Sequence, residues 1–351
     1  MLAPITHILP LTTIRRERLL PAPGKVLARQ GQKVGATDVV ARANLNPEHL
    51  LLDISRGLGL SEEKSDQFIQ YRAGEQVSEG DVLAGPVGMT KRVVRAPSDG
   101  RVIIAGGGQI LLEVESAPFE LIAGIPGVVT ALIENRGVII ETTGALIQGI
   151  WGNGHVDYGL MYVLAEAADD ILDIDRIDIS FRGSIILGGY CTDAEVLKLA
   201  ASLPLRGLIL GCIDSSLIPL AARMPFPVIV IEGFGHLEMN SAAFKLLTTN
   251  ERHDVVLNAD PWDKYTSNRP EIIIPLPASG NPFLPSDSGV FSVGKQVRIL
   301  RNPHLGQVGK IIDILPGMTA LQSGVLASAA NIELENGEKA VVPLANLDVL
   351  E

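Results

Sequence analysis

Residues 294–314 read GKQVRILRNPHLGQVGKIIDI. Two short apolar alternations, Val297 with Ile299 and Ile312 with Ile314, flank a segment carrying Pro303, Gly306 and Gly309. A period of two marks a strand with one buried face, and proline and glycine shape the turn between two such strands. Farther on, residues 330–343 (ANIELENGEKAVVP) alternate again about Asn336-Gly337, the dipeptide that favours the tight turns of hairpins. Leu344 to Val349 then supplies a closing strand, so a small β-barrel is expected over 291–351.

The spacing of 294–314 resembles the KOW motif of the transcription factor NusG, its eukaryotic elongation relatives and several ribosomal proteins. The resemblance implies an SH3-like barrel that docks its carrier onto RNA polymerase, a ribosome or RNA. Between Gly294 and Lys310 lie Lys295, Arg298, Arg301 and Lys310 with no acid, and with His304 and Gly306 they are the candidate RNA- or partner-binding residues. On outward positions each cation would add a salt-sensitive phosphate contact. Glu333, Glu335 and Glu338 weaken that field, so RNA docking and protein docking stand level.

Upstream, residues 259–290 contain Pro270, Pro275, Pro277, Pro282 and Pro285, with one strand-like stretch, Glu271 to Ile274. The composition is that of a semi-rigid linker, which would present the barrel rather than bury it.

Before the linker, residues 176–258 alternate strand and helix. Strands are expected at Ser184–Gly189, Arg206–Gly211, Pro227–Ile231 and Asp254–Leu257, and helices at Thr192–Ala200, Asp214–Arg223 and Asn240–Thr249. Such alternation implies an α/β domain with a mostly parallel sheet. Ligands in such sheets bind at carboxyl-end turns, which makes Gly188, Gly189, Gly211 and Gly233, with the helix starts at Thr192, Ser215 and Ser216, candidate anion-binding turns. The alternative is that they are plain tight turns. The run from Gly211 to Val230 is similar to the motif of the swivelling phosphohistidine domain of phosphoenolpyruvate-utilising enzymes. The resemblance puts the phosphate-accepting histidine at Ser216, and a hydroxyl lacks the nitrogen nucleophile that this chemistry needs.

Near the start, Gly31 to Ala41 and Gly74 to Ala84 share the pattern GxxVxxxDV(V/L)A. Each copy reads as strand, turn, strand and cannot bury its face alone, so the two are expected to pack together. Ala22-Pro23 stands before the first copy and Ala96-Pro97 after the second. The stretch resembles the biotinyl/lipoyl-like barrel-sandwich hybrid, expected over 1–124 with a helical insert at 51–73. In carriers of that family a hairpin lysine is modified; here Lys91 lies too close to Ala96 and lacks the flanking methionine pair, so a solvated turn is the plainer reading. Residues 125–175 continue as a β-rich connection.

The 351 residues suggest several domains, and a net charge of −11 opposes a nucleic-acid-coating role for the whole chain. Positive charge is local: residues 1–43 carry seven Lys and Arg against Glu17 and Asp38. Cys191 and Cys212 lack metal or disulfide spacing, and neither a cofactor nor a metal is implied. No secretory pattern or membrane-spanning run is read, which points to the cytoplasm. The expected fold class is multidomain α+β: a β-rich barrel-sandwich hybrid, an α/β parallel-sheet domain and a small SH3-like β-barrel. The expected function is a non-enzymatic adaptor or assembly subunit docking on the transcription or translation machinery. A small-anion-binding sensor or enzyme and a homo-oligomeric structural protein are the alternatives.

Overall fold

A computed structural model describes residues 2–45, 48–114, 118–263, 268–277, 282–285, 289–321 and 323–351, so parts of the expected linker lie outside the described residues. The protein is β-rich, with several sheets and few helices. No helix among the described residues is long and apolar enough to cross a membrane.

The largest sheet among the described residues has eleven strands. Four of them, Val156–Val163, Ser184–Cys191, Gly207–Ile213 and Val228–Phe234, run parallel in sequence order. Parallel neighbours require crossovers, and the helices Ala194–Ser202 and Ile218–Ala221 serve the last two. Side chains alternate between two cores. Ile186, Leu208, Leu210 and Val228 pack with the helix Ala194–Ser202, whereas Ile185, Leu187, Ile209 and Ile229 face the helix Ser241–Thr249. The sheet then turns antiparallel through Asp254–Asn258, Glu271–Pro275 and Gly137–Gln148. The strand Glu271–Pro275 corrects the linker expectation: Ile272, Ile273 and Ile274 are fully buried in the middle of this sheet. Its run of isoleucines has no alternation because both faces are covered.

The two N-terminal copies each form the expected turn, but they do not share a core. Val34, Val40 and Ala41 pack with Val138, Ile140 and Ile273 of the large sheet, whereas Val77, Leu83 and Ala84 pack with Ile54, Val102, Ile110 and Leu112. Each copy is completed by a segment of pattern AxxxGxV, residues 123–129 for the first and 96–102 for the second. The hydrogen bonds are equivalent. Asp38 accepts from the Gly35 N–H at 2.8 Å and Asp81 from the Ser78 N–H at 2.9 Å. The Ala123 N–H donates to the Asp38 carbonyl and the Ala96 N–H to the Asp81 carbonyl, both at 2.8 Å. Val34 lies opposite Gly127, and Val77 opposite Gly100. These glycines are needed: a Cβ at Gly127 would stand 2.3 Å from the Glu141 carbonyl oxygen, and one at Gly100 2.4 Å from that of Glu113.

The second unit, residues 48–114, is therefore nested inside the first. The chain leaves from the strand Val39–Ala43 and returns in Phe119–Ile122, where Phe119 is the cross-strand partner of Ala43. The short helices Ile54–Leu58 and Glu62–Ser65 belong to the nested unit. Ala22-Pro23 is not the counterpart of Ala96-Pro97; Ala123 is.

At the C-terminus a six-stranded sheet has the order Ile5–Thr6, Leu347–Leu350, Gln296–Ile299, Val308–Ile314, Ala329–Leu334, Lys339–Pro343. The hairpin Ala329–Leu334 with Lys339–Pro343 turns at Asn336-Gly337, where Gly337 has φ +83°. One strand comes from the other end of the chain: Ile5–Thr6 runs parallel to Leu347–Leu350.

Candidate docking site at the C-terminal sheet

Strand alternation puts Val297 and Ile299 in the core of the C-terminal sheet and Arg298 on its other face, as the sequence suggests. That other face is not free. Arg298 is 2% exposed, donating through Nη1 to Glu232 Oε2 at 2.7 Å and through Nη2 to Asp348 Oδ2 at 2.8 Å. Glu232 comes from the parallel strand Val228–Phe234, and Asp348 from the last barrel strand. Thr6 Oγ1 donates to Asp348 at 2.7 Å, and Asn240, the N-cap of the helix Ser241–Thr249, donates its backbone N–H to Glu232 at 3.0 Å. Burial alone would push the Arg298 guanidinium down; the two carboxylates beside it outweigh that and hold its pKa above the usual arginine value.

The placement of Arg298 as a phosphate contact is thus corrected: its charge is committed to an internal cluster. The expectation of a barrel held off by a linker is corrected with it. Breaking one partner of a buried pair typically costs about 3–5 kcal/mol, because the other charge is stranded. The cluster ties the N-terminal strand, the parallel strands, a helix cap and the six-stranded C-terminal sheet into one joint.

The remaining candidates divide. Lys295 Nζ pairs with Glu351 at 2.5 Å. Lys310 is exposed and sits across the ladder from Glu333. Arg301 is exposed, and its Nη1 donates to the neighbouring Leu300 carbonyl at 3.4 Å. The His304 ring nitrogen Nδ1 lies 3.1 Å from Gln307 Oε1. Gly306, with φ +81°, approaches Leu237 so closely that a Cβ would stand 2.9 Å from its Cδ2. The loop holding His304 and Gly306 therefore packs on the segment after Gly233. A cavity of about 340 Å³ remains between them, lined by residues that include His236, Glu238, Gln307 and Glu335.

The expected anion-binding turns are differently built. Gly188 and Gly189 lie inside the strand Ser184–Cys191, Gly211 inside Gly207–Ile213, and Gly233 inside Val228–Phe234. Gly189 is required because a Cβ there would stand 1.9 Å from the Asp170 carbonyl oxygen, and one at Gly188 2.8 Å from Leu172. The segment before the strand covers these glycines. The helix starts are occupied by carboxylates. Asp193, next to the exposed Thr192, accepts from the Glu195 N–H at 2.9 Å; Asp214 accepts from the Ser216 N–H at 2.8 Å. The Ser216 hydroxyl, then its N–H, holds the Asp214 carboxyl below the usual carboxylate range, and Ser215 and Ser216 are exposed beside it. A second anion at either helix start would meet a like charge. The two cysteines are buried, and burial pushes the thiols up, to about 11 for Cys191 and about 12 for Cys212.

One feature of the barrel was not singled out from the sequence. Between Asp313 and Glu333 the chain has no charged residue. Within that stretch Thr319–Ala320 pairs with Leu326–Ala327 as a small hairpin, and Met318, Val325 and Leu326 are 64%, 57% and 61% exposed. The absence of charge over such a run was the available signal.

No protein-family model and no curated protein matches this chain.

Proposed function

We propose that the chain is a cytoplasmic, non-enzymatic adaptor or assembly subunit, built from a barrel-sandwich hybrid pair, an α/β domain and a KOW-type barrel. The barrel docks a protein component of the transcription or translation machinery. The observation that carries this reading is the exposed, uncharged hairpin about Met318, Val325 and Leu326. Apolar side chains gathered on a surface favour a protein partner, and a phosphate backbone would find no cation there. Support also comes from the fate of the basic residues. With Arg298 buried and Lys295 paired, Arg301 and Lys310 are left for a nucleic acid, which is a small electrostatic footprint. The joint at Arg298 holds the barrel in one orientation, which lowers the ordering cost of binding.

Deleting residues 290–351 is a poor test, since it strands Glu232. Surface variants are better. RNA polymerase or ribosomal proteins captured by the tagged full-length chain from its native cell should be lost with V325D/L326D and kept with R301E/K310E. Loss with R301E/K310E alone would transfer the reading to RNA. Equal capture by all forms would refute docking through the barrel.

A further inference from the structure

A cavity of about 600 Å³ lies away from the barrel hairpin, lined by the end of the strand Ile8–Leu19, by Leu121 and Ile125, and by the segment around Arg269. Its volume falls in the range of sites for small organic ligands, roughly 300–1,000 Å³. Two of its arginines are already committed. Arg16 Nε donates to Glu271 at 2.9 Å, and Arg18 Nη1 donates to Asp260 at 2.7 Å.

Arg269 differs. Its side chain is only 12% exposed, yet no hydrogen bond from its guanidinium to a protein acceptor is formed among the described residues. The nearest carboxylate oxygen, Asp348 Oδ1, is 3.9 Å away, which is beyond hydrogen-bond reach. Arg298 and Thr6 both donate to the other oxygen, Asp348 Oδ2, and Oδ1 is itself buried without a hydrogen bond among the described residues, so Asp348 balances Arg269 only as a nearby charge. The Arg269 guanidinium carbon stands 5.4 Å from the centre of the Trp262 ring, within cation–π reach. Burial pushes its pKa below the usual arginine value, a sign of incomplete compensation. Five N–H donors in a planar fork, held against a ring and turned to a cavity, match an oxyanion with two acceptor oxygens. Among the described lining residues Arg15, Arg16, Arg18 and Arg269 stand with Glu17, Asp260 and Glu271, an excess of one positive charge in a chain of net −11. Leu121, Ile125 and Leu284 supply an apolar wall beside the fork.

We infer that this cavity binds a small organic anion, its phosphate or carboxylate paired with Arg269 and its apolar or aromatic body against Leu121, Ile125 and Leu284. The site is separate from the glycine-rich strand ends, where capping aspartates already stand.

The test titrates the full-length protein with phenyl phosphate, benzoate and inorganic phosphate, following tryptophan fluorescence and melting temperature. Phenyl phosphate or benzoate should give a saturable fluorescence change and raise the melting temperature, since a ligand bound only by the folded state stabilises it. Arg269→Lys keeps the charge near Asp348 but loses the fork, and should weaken binding about tenfold or more. Arg15→Glu, on the exposed rim, should weaken binding in the same direction without touching the core, so the test stands even if the Arg269 variant misfolds. No saturable response to any of the three probes overturns the proposal, as does unchanged affinity in both variants. Inorganic phosphate binding as tightly as phenyl phosphate overturns the organic-anion assignment.

Discussion

Two small β modules are attached to the large sheet, and they are attached in opposite ways. The six-stranded C-terminal module borrows a strand from the N-terminus and shares the buried Arg298, Glu232 and Asp348 cluster with the large sheet. The nested unit, residues 48–114, keeps its own core, and among the described residues its hydrogen bonds and ion pairs close within it. The contrast teaches that chain connectivity does not decide rigidity. The C-terminal module follows a proline-rich stretch and is tied down by buried charges; the nested unit has two chain connections to its host and a core of its own.

The largest expected effect is at the joint. Arg298→Met leaves Glu232 and Asp348 buried without their partner and should cost about 3–5 kcal/mol, read from urea unfolding. The barrel and the sheet should lose stability together, and a loss confined to the barrel would break the comparison. Next come the paired glycines. Gly127→Ala and Gly100→Ala create the same clash in the same motif, each expected to cost about 1–3 kcal/mol. In calorimetry the first should lower the transition of the main body and the second only that of the nested unit.

A smaller effect is expected at Asp170. The Glu166 N–H, then Arg176, holds its carboxyl below the usual carboxylate range. A depressed folded pKa stabilises the fold above the ordinary carboxylate value, and this stabilisation fades as the pH falls through the folded value. Asp170→Asn should therefore cost about 1–2 kcal/mol near neutrality, in the main transition only. Below the carboxylate range wild type and variant should converge. The smallest effect is at the hairpin: Leu326→Asp is exposed and should change stability by less than about 0.5 kcal/mol in either transition.

Local features of the fold were legible in the sequence. The hairpin at Asn336-Gly337 and the repeated turn rest on contacts close in sequence, and the parallel strands on the local alternation of strand and helix, where periodicity and glycine speak directly. What was missed depends on distant partners. The match between Ala96 to Val102 and Ala123 to Val129 is a short pattern, and its role shows only once each copy of the turn has found its partner. Arg298 occupies an outward position by alternation, and no local signal says that Glu232, 66 residues earlier, covers that face. Gly188 and Gly189 look like turn residues because their true constraints, the Leu172 side chain and the Asp170 backbone, come from a different segment. In the candidate site the residue types were readable, while which cations remain free was set by tertiary pairing.

Native-state hydrogen exchange compares the two modules most directly. The account predicts one shared opening free energy for slow amides in Gln296–Ile299 and Gly207–Ile213, lowered equally by Arg298→Met, and a separate, unaffected value in Gln109–Val114. Barrel amides that open independently of the sheet, with Arg298→Met lowering them alone, would contradict it.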